Sequence, residues 1–123
     1  MAQSMQSYFS QVVKTVLNKT NMSALITIEN HETIKGHEEA LGIAHFDWDE
    51  SKSKYIFERI TIDEYFVKEC YNEHFNVTPQ AHYMRELAGD TLEGVLCHEL
   101  AHVKHRIHTK AHARETARLL ALL

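Results

Sequence analysis

The stretch Thr91-Leu92-Glu93-Gly94-Val95-Leu96-Cys97-His98-Glu99-Leu100-Ala101-His102 governs how the rest of the chain is read. Its apolar residues Leu92, Val95, Leu96 and Leu100 recur at three- and four-residue spacing, which predicts a helix, and Val103 and Ile107 would extend the same stripe. Asp90, with Glu93 three residues on, forms a capping-box-like start, so the helix is expected over residues 91–106. At about 100° per residue, His98 and His102 lie some 40° apart on one face and one turn apart. Their imidazoles can converge on one ion at the ~2.0–2.1 Å of a Zn–N bond. The apolar stripe lies about 140–150° from that face, which turns both rings toward a cleft rather than the core. Gly94, one turn before His98, keeps that side of the helix uncluttered. Glu99 falls on the flank, where it can hydrogen-bond a water beside an ion without ligating it, the placement of a general base.

Zinc held with a place for water needs a third ligand. His105 shares the face of His98 but lies about 10.5 Å further along a straight helix, too far for one ion. His108 reaches the site if the helix ends near residue 105 and the chain turns back, and histidine tolerates turn conformations. It is the first choice, with His112 in reserve and Glu115 behind it.

Upstream, Met5, Tyr8, Phe9, Val12, Val13, Val16 and Leu17 mark an amphipathic helix over 4–19 with Ser4 as N-cap. Three strands follow, Ala24–Glu29, Leu41–Trp48 and Tyr55–Ile62, the last two joined by the polar turn Asp47–Lys54. Ile56, Ile60 and Ile62 are expected on one face of the third strand, with Arg59 and Thr61 on the other. Asp63 can cap a helix that carries Phe66, Val67, Cys70 and Tyr71 and ends near Phe75. A further helical stretch is read from Pro79 to Leu87, stopped by Gly89, and a last amphipathic helix over 110–122. With no linker or repeat, residues 1–123 are expected to form a single α+β domain.

Composition narrows the function classes. The chain has 123 residues and a formal net charge of −4, which argues against a general nucleic-acid coat. Residues 29–75 carry 12 acids against 5 Lys/Arg, whereas residues 98–123 carry 5 Lys/Arg, 2 acids and five of the ten histidines. No apolar run reaches the roughly 18–20 residues of a membrane span, and the N-terminus lacks the plan of a signal peptide, so a cytoplasmic protein without a membrane role is expected. Cys70 and Cys97 are too few for a disulfide framework or a four-cysteine zinc ribbon and read as reduced, buried residues. His31, His37, His45, His74 and His82 have no ligand spacing and read as surface or turn residues; Trp48 reads as a rim or core aromatic.

The segment Thr91–His102, followed by His108-Thr109-Lys110-Ala111-His112 and preceded by the strand-to-helix passage Ile60-Thr61-Ile62-Asp63, resembles the SprT-like/WLM/YgjP-like group of zincin metallopeptidases. The resemblance is carried by residues 55–112. It implies a minimal zincin-like domain: N-terminal helix, small three-stranded sheet, HExxH active-site helix and C-terminal helix. It further implies Zn2+ on His98, His102 and His108, Glu99 as base, and a protein or peptide substrate in extended conformation. Three departures are visible. These families often carry an aromatic residue where this chain has His112. Metzincins place Gly at the position of His105 and need a later Met-turn, but no Met follows Met84. A zinc ribbon for DNA targeting is absent, so DNA association gains little support. A substrate strand would add to a sheet edge, for which Leu41–Trp48 is the candidate. Tyr83, His112 and Arg114 are candidate oxyanion stabilisers. Two rival functions stay open. One is a metal-dependent hydrolase of another substrate such as RNA, since YbeY-like endoribonucleases share the His-x3-His-x5-His spacing but follow the first His with Gly. The other is a catalytically silent zinc-binding domain.

Overall fold

The computed structural model describes residues 4–75 and 91–123. Among them are four α-helices and a three-stranded sheet, an α+β arrangement. Helix α1 (Met5–Thr20) begins where the Ser4 side chain accepts from the Ser7 N–H and ends at Asn21 in the left-handed conformation. Tyr8, Phe9, Val16 and Thr20 are its buried positions. Strands β1 (Ile26–Glu29), β2 (Gly42–Asp49) and β3 (Lys54–Asp63) follow, then α2 (Glu64–Phe75), α3 (Leu92–Ala101) and α4 (Lys110–Ala121). Asp63 caps α2 as expected, its Oδ2 accepting from the Phe66 N–H at 3.3 Å. The helix read over 79–87, with His82 and Tyr83, lies outside the described residues.

The sheet order is β1-β3-β2, with β1 parallel and β2 antiparallel to the central β3. Ile26 and Ile28 pair with Ile60 and Ile62, and this face joins the core formed with the helices. One expectation fails at the other end of β3. Ile56 does not share the face of Ile60 and Ile62, because the register shifts between His45, opposite Arg59, and Phe46, opposite Phe57. Glu58 is thereby an extra residue on β3, and such a bulge inverts the alternation beyond it. Phe57 takes the inward position, its ring edge-to-face with Phe46 at 5.8 Å, while Ile56 is exposed.

The far face of the sheet holds a polar contact in place of a surface histidine. His31 is fully buried: its Nδ1–H donates to the Ala40 carbonyl at 2.7 Å, and its Nε2 accepts from the Thr61 hydroxyl at 2.8 Å. The half-buried His45 donates from Nε2 to the same Thr61 oxygen at 2.9 Å. The segment after β1 is pinned to the sheet in this way, and a surface or turn reading of His31 and His45 is corrected. Cys70 and Cys97 are both buried and in no disulfide, as expected, and burial pushes the Cys97 thiol up to about 11.

Candidate metal centre

Helix α3 starts one residue later than the capping box implies. Thr91 is the N-cap, its Oγ1 accepting from the Gly94 N–H at 2.9 Å, and a Cβ at Gly94 would crowd that oxygen at 2.9 Å. Leu92, Val95, Leu96 and Leu100 are buried, as the periodicity predicts. The helix then stops at Ala101 rather than running to 106. The amides of His102, Val103 and Lys104 bond carbonyls three residues back, which tightens the last turn and releases the chain. Val103 and Ile107 therefore leave the apolar stripe and are exposed, correcting their expected place in the core.

That early stop has a functional consequence: the turn over 102–109 folds back across the HExxH face. The ligand atoms of His98, His102, His108 and His112 all lie within 4.8 Å of one another. His98 Nε2 and His108 Nε2 face each other at 3.1 Å. Nitrogens on a tetrahedral zinc at ~2.0–2.1 Å are about 3.3 Å apart, so this pair is already near the edge length of a coordination tetrahedron. The four imidazoles could hold a metal ion, and imidazole nitrogen suits zinc, copper, iron and nickel alike. His112, the reserve in sequence terms, is brought into the same group as His108, and His105 is not part of it.

Backbone carbonyls settle two tautomers, since a carbonyl only accepts. His102 donates from Nδ1 to the His105 carbonyl at 2.9 Å, leaving Nε2 with the lone pair. His112 donates from Nε2 to the His98 carbonyl at 2.9 Å, leaving Nδ1. Its ring stacks on that of His102 at 4.0 Å, and its amide is capped by Thr109 Oγ1 at 3.2 Å. Burial and the neighbouring imidazoles hold His98 down at about 4, so it is a neutral donor at pH 7.

Glu99 is buried beside this cluster, with Oε2 4.0 Å from His98 Nε2. Burial raises its carboxyl to about 7, while the backbone N–H of Ala44 on β2 opposes that shift. The edge strand β2 thus runs directly past Glu99. Two cavities, of about 360 and about 430 Å³, share Gly42, His98 and Glu99 in their lining. The first also contains His37, His102, His108 and Arg106, and the second Gly94 and Leu120.

The other candidates separate cleanly. Glu115 is outside the histidine group and is held by Arg118 at 2.7 and 2.9 Å and by Lys104 at 3.5 Å. Arg114 is exposed and lines neither cavity, so it reads as solvated charge. His112 belongs to the histidine cluster. Sequence reading missed Arg106, whose guanidinium sits 4.2 Å over the Tyr55 ring and which lines the first cavity. It also passed over His37 at that cavity; nothing in the spacing of either residue signals the site. Trp48 is half exposed and packs edge-on to Tyr55 at 5.1 Å, the rim position expected of it. No helix among the described residues is long and apolar enough to cross a membrane. Comparison with protein-family models, with curated proteins and with solved structures finds no match to this chain.

Proposed function

We propose that this chain is a zinc-dependent metallopeptidase of zincin type, related in plan to the SprT-like/WLM/YgjP-like group. The observation that carries the reading is Glu99: a buried carboxyl with Oε2 4.0 Å from His98 Nε2, set beside a histidine cluster and against the amide of an edge strand. When bound, zinc would supply Lewis-acid polarisation of the scissile carbonyl and lower the pKa of solvent toward ~7. His98 and His102, with His108 or His112, would hold it. Glu99 accepts the proton of the attacking water and returns it to the leaving amine. The cavities that Glu99 lines give an extended substrate a path along β2, where strand addition supplies backbone hydrogen bonds.

A second reading, a catalytically silent zinc-binding domain, is favoured by one specific observation: four imidazoles can fill a tetrahedral sphere and leave no place for water. The deciding experiment incubates zinc-loaded protein with an unfolded protein and with single-stranded RNA, using Glu99→Gln as control. Peptide cleavage reduced about 10²–10⁴-fold by Glu99→Gln supports the peptidase. Cleavage of RNA alone points to another hydrolase, and no cleavage with zinc retained points to the silent domain.

A further inference from the structure

A hydrolytic zinc needs three protein ligands, yet four imidazoles meet here. They are not held alike. His102 and His112 are buried, and each donates its second ring N–H to a backbone carbonyl at 2.9 Å. Such outer contacts fix the tautomer and aim of a ligand. His112 is also anchored on the first turn of α4 by the Thr109 cap. His98 is part of α3. His108, by contrast, is exposed on the turn between α3 and α4, and its one hydrogen-bond partner among the described residues is His98. No carbonyl or carboxylate among those residues orients its second nitrogen.

We propose that His98, His102 and His112 are the permanent ligands and that His108 is a displaceable fourth, closing the sphere at rest and yielding its place to an oxygen donor, water or a substrate carbonyl. The assignment rests on the hydrolytic reading only for the purpose of the vacated position. Displacement breaks one metal–nitrogen contact and makes one metal–oxygen contact, with no redox change. The short turn supplies the motion, since neither α3 nor α4 need move.

The test is X-ray absorption on the zinc-loaded full chain, with chelator competition and an azide titration of the cobalt-substituted protein. Wild type is expected to show four imidazoles and a cobalt spectrum insensitive to azide. His108→Ala should keep one metal per chain with affinity lowered by about tenfold, show three imidazoles and one oxygen, and respond to azide. His112→Ala should weaken binding at least about tenfold more than His108→Ala does. Because His112 is buried and its truncation leaves a hole beside His102, the wild-type imidazole count stands as an arm independent of that variant's folding. Three imidazoles and one oxygen in wild type would overturn the proposal. So would loss of the metal from His108→Ala as complete as from His98→Ala, which would make His108 the third ligand. If His108→Ala opens the sphere but cleaves no unfolded protein above the Glu99→Gln background, the ligand assignment holds and the peptidase reading falls.

Discussion

A Cβ placed on Gly42 would come within 2.8 Å of Glu99 Cγ and 2.9 Å of Glu99 Oε2. The edge strand and the HExxH helix approach closely enough at this point that only a residue without a side chain fits. Val95 Cγ1, at 3.0 Å from the same position, blocks relief on the other side. Gly42→Ala must therefore push Glu99 off its present position. The expected result is a stability loss of about 1–3 kcal/mol and a larger proportional loss of hydrolysis, with zinc content unchanged. Denaturant titration and metal analysis on the same preparation check both halves.

The histidine cluster should bind one divalent ion per chain. His98→Ala or His102→Ala should abolish stoichiometric binding. Because the ion binds the folded state, free zinc at a hundredfold excess over Kd should stabilise wild type by about 2.7 kcal/mol, raising its unfolding midpoint, and leave those variants unmoved. Inductively coupled plasma analysis and thermal melts with and without chelator report this.

The pH dependence of the metal-free protein follows from two opposed shifts. Glu99 is raised from 4.5 to about 7, so the folded state binds more protons than the unfolded one in that window. Its contribution is fully present below pH 4.5 and is lost as pH rises through 7. His98 is lowered from 6.5 to about 4, so its contribution is present above 6.5 and is lost as pH falls through 4. The two oppose each other between 4.5 and 6.5; above that, Glu99 alone still acts. Glu99→Gln should thus stabilise the metal-free protein at pH 8, by on the order of 2 kcal/mol, while removing activity from the metal-loaded one. Urea unfolding of both proteins at pH 5 and pH 8 measures it.

Glu115 fastens the turn that carries His108. It accepts two bonds from Arg118 and faces Lys104 from the turn, and this pairing holds its carboxyl down at about 2. The stability it adds is present above about pH 4.5 and is lost as pH falls toward 2. Glu115→Gln should cost about 1 kcal/mol at pH 7 and progressively less below pH 4, without loss of bound metal. Denaturant midpoints at several pH values, with metal content measured alongside, give the answer.

The α3 helix and the convergence of His98 and His102 were legible because both follow from a 3.6-residue period and nothing else. Ser4 and Asp63 announced α1 and α2 in the same local way. What escaped was set by contacts distant in sequence. The inward turn of Phe57 in place of Ile56 comes from a bulge opposite β2, which no alternation pattern within β3 records. The stop at Ala101 has no Gly or Pro to mark it, so the apolar stripe seemed to continue through Val103 and Ile107. His31 became a core residue because Thr61 and Ala40 meet it across the sheet, and Gly42 matters through Glu99, which follows it by more than fifty positions. The order of strands, which makes β2 an edge beside the site, is likewise a property of the packed chain.

The most direct test of the metal centre is an anomalous-difference map at the zinc edge from crystals of the zinc-loaded protein. One peak per chain is expected between the rings, about 2.0–2.1 Å from nitrogens of His98 and His102 and bonded to at least one of His108 and His112. No peak among these four residues, with zinc bound elsewhere or not at all, would overturn the metal centre.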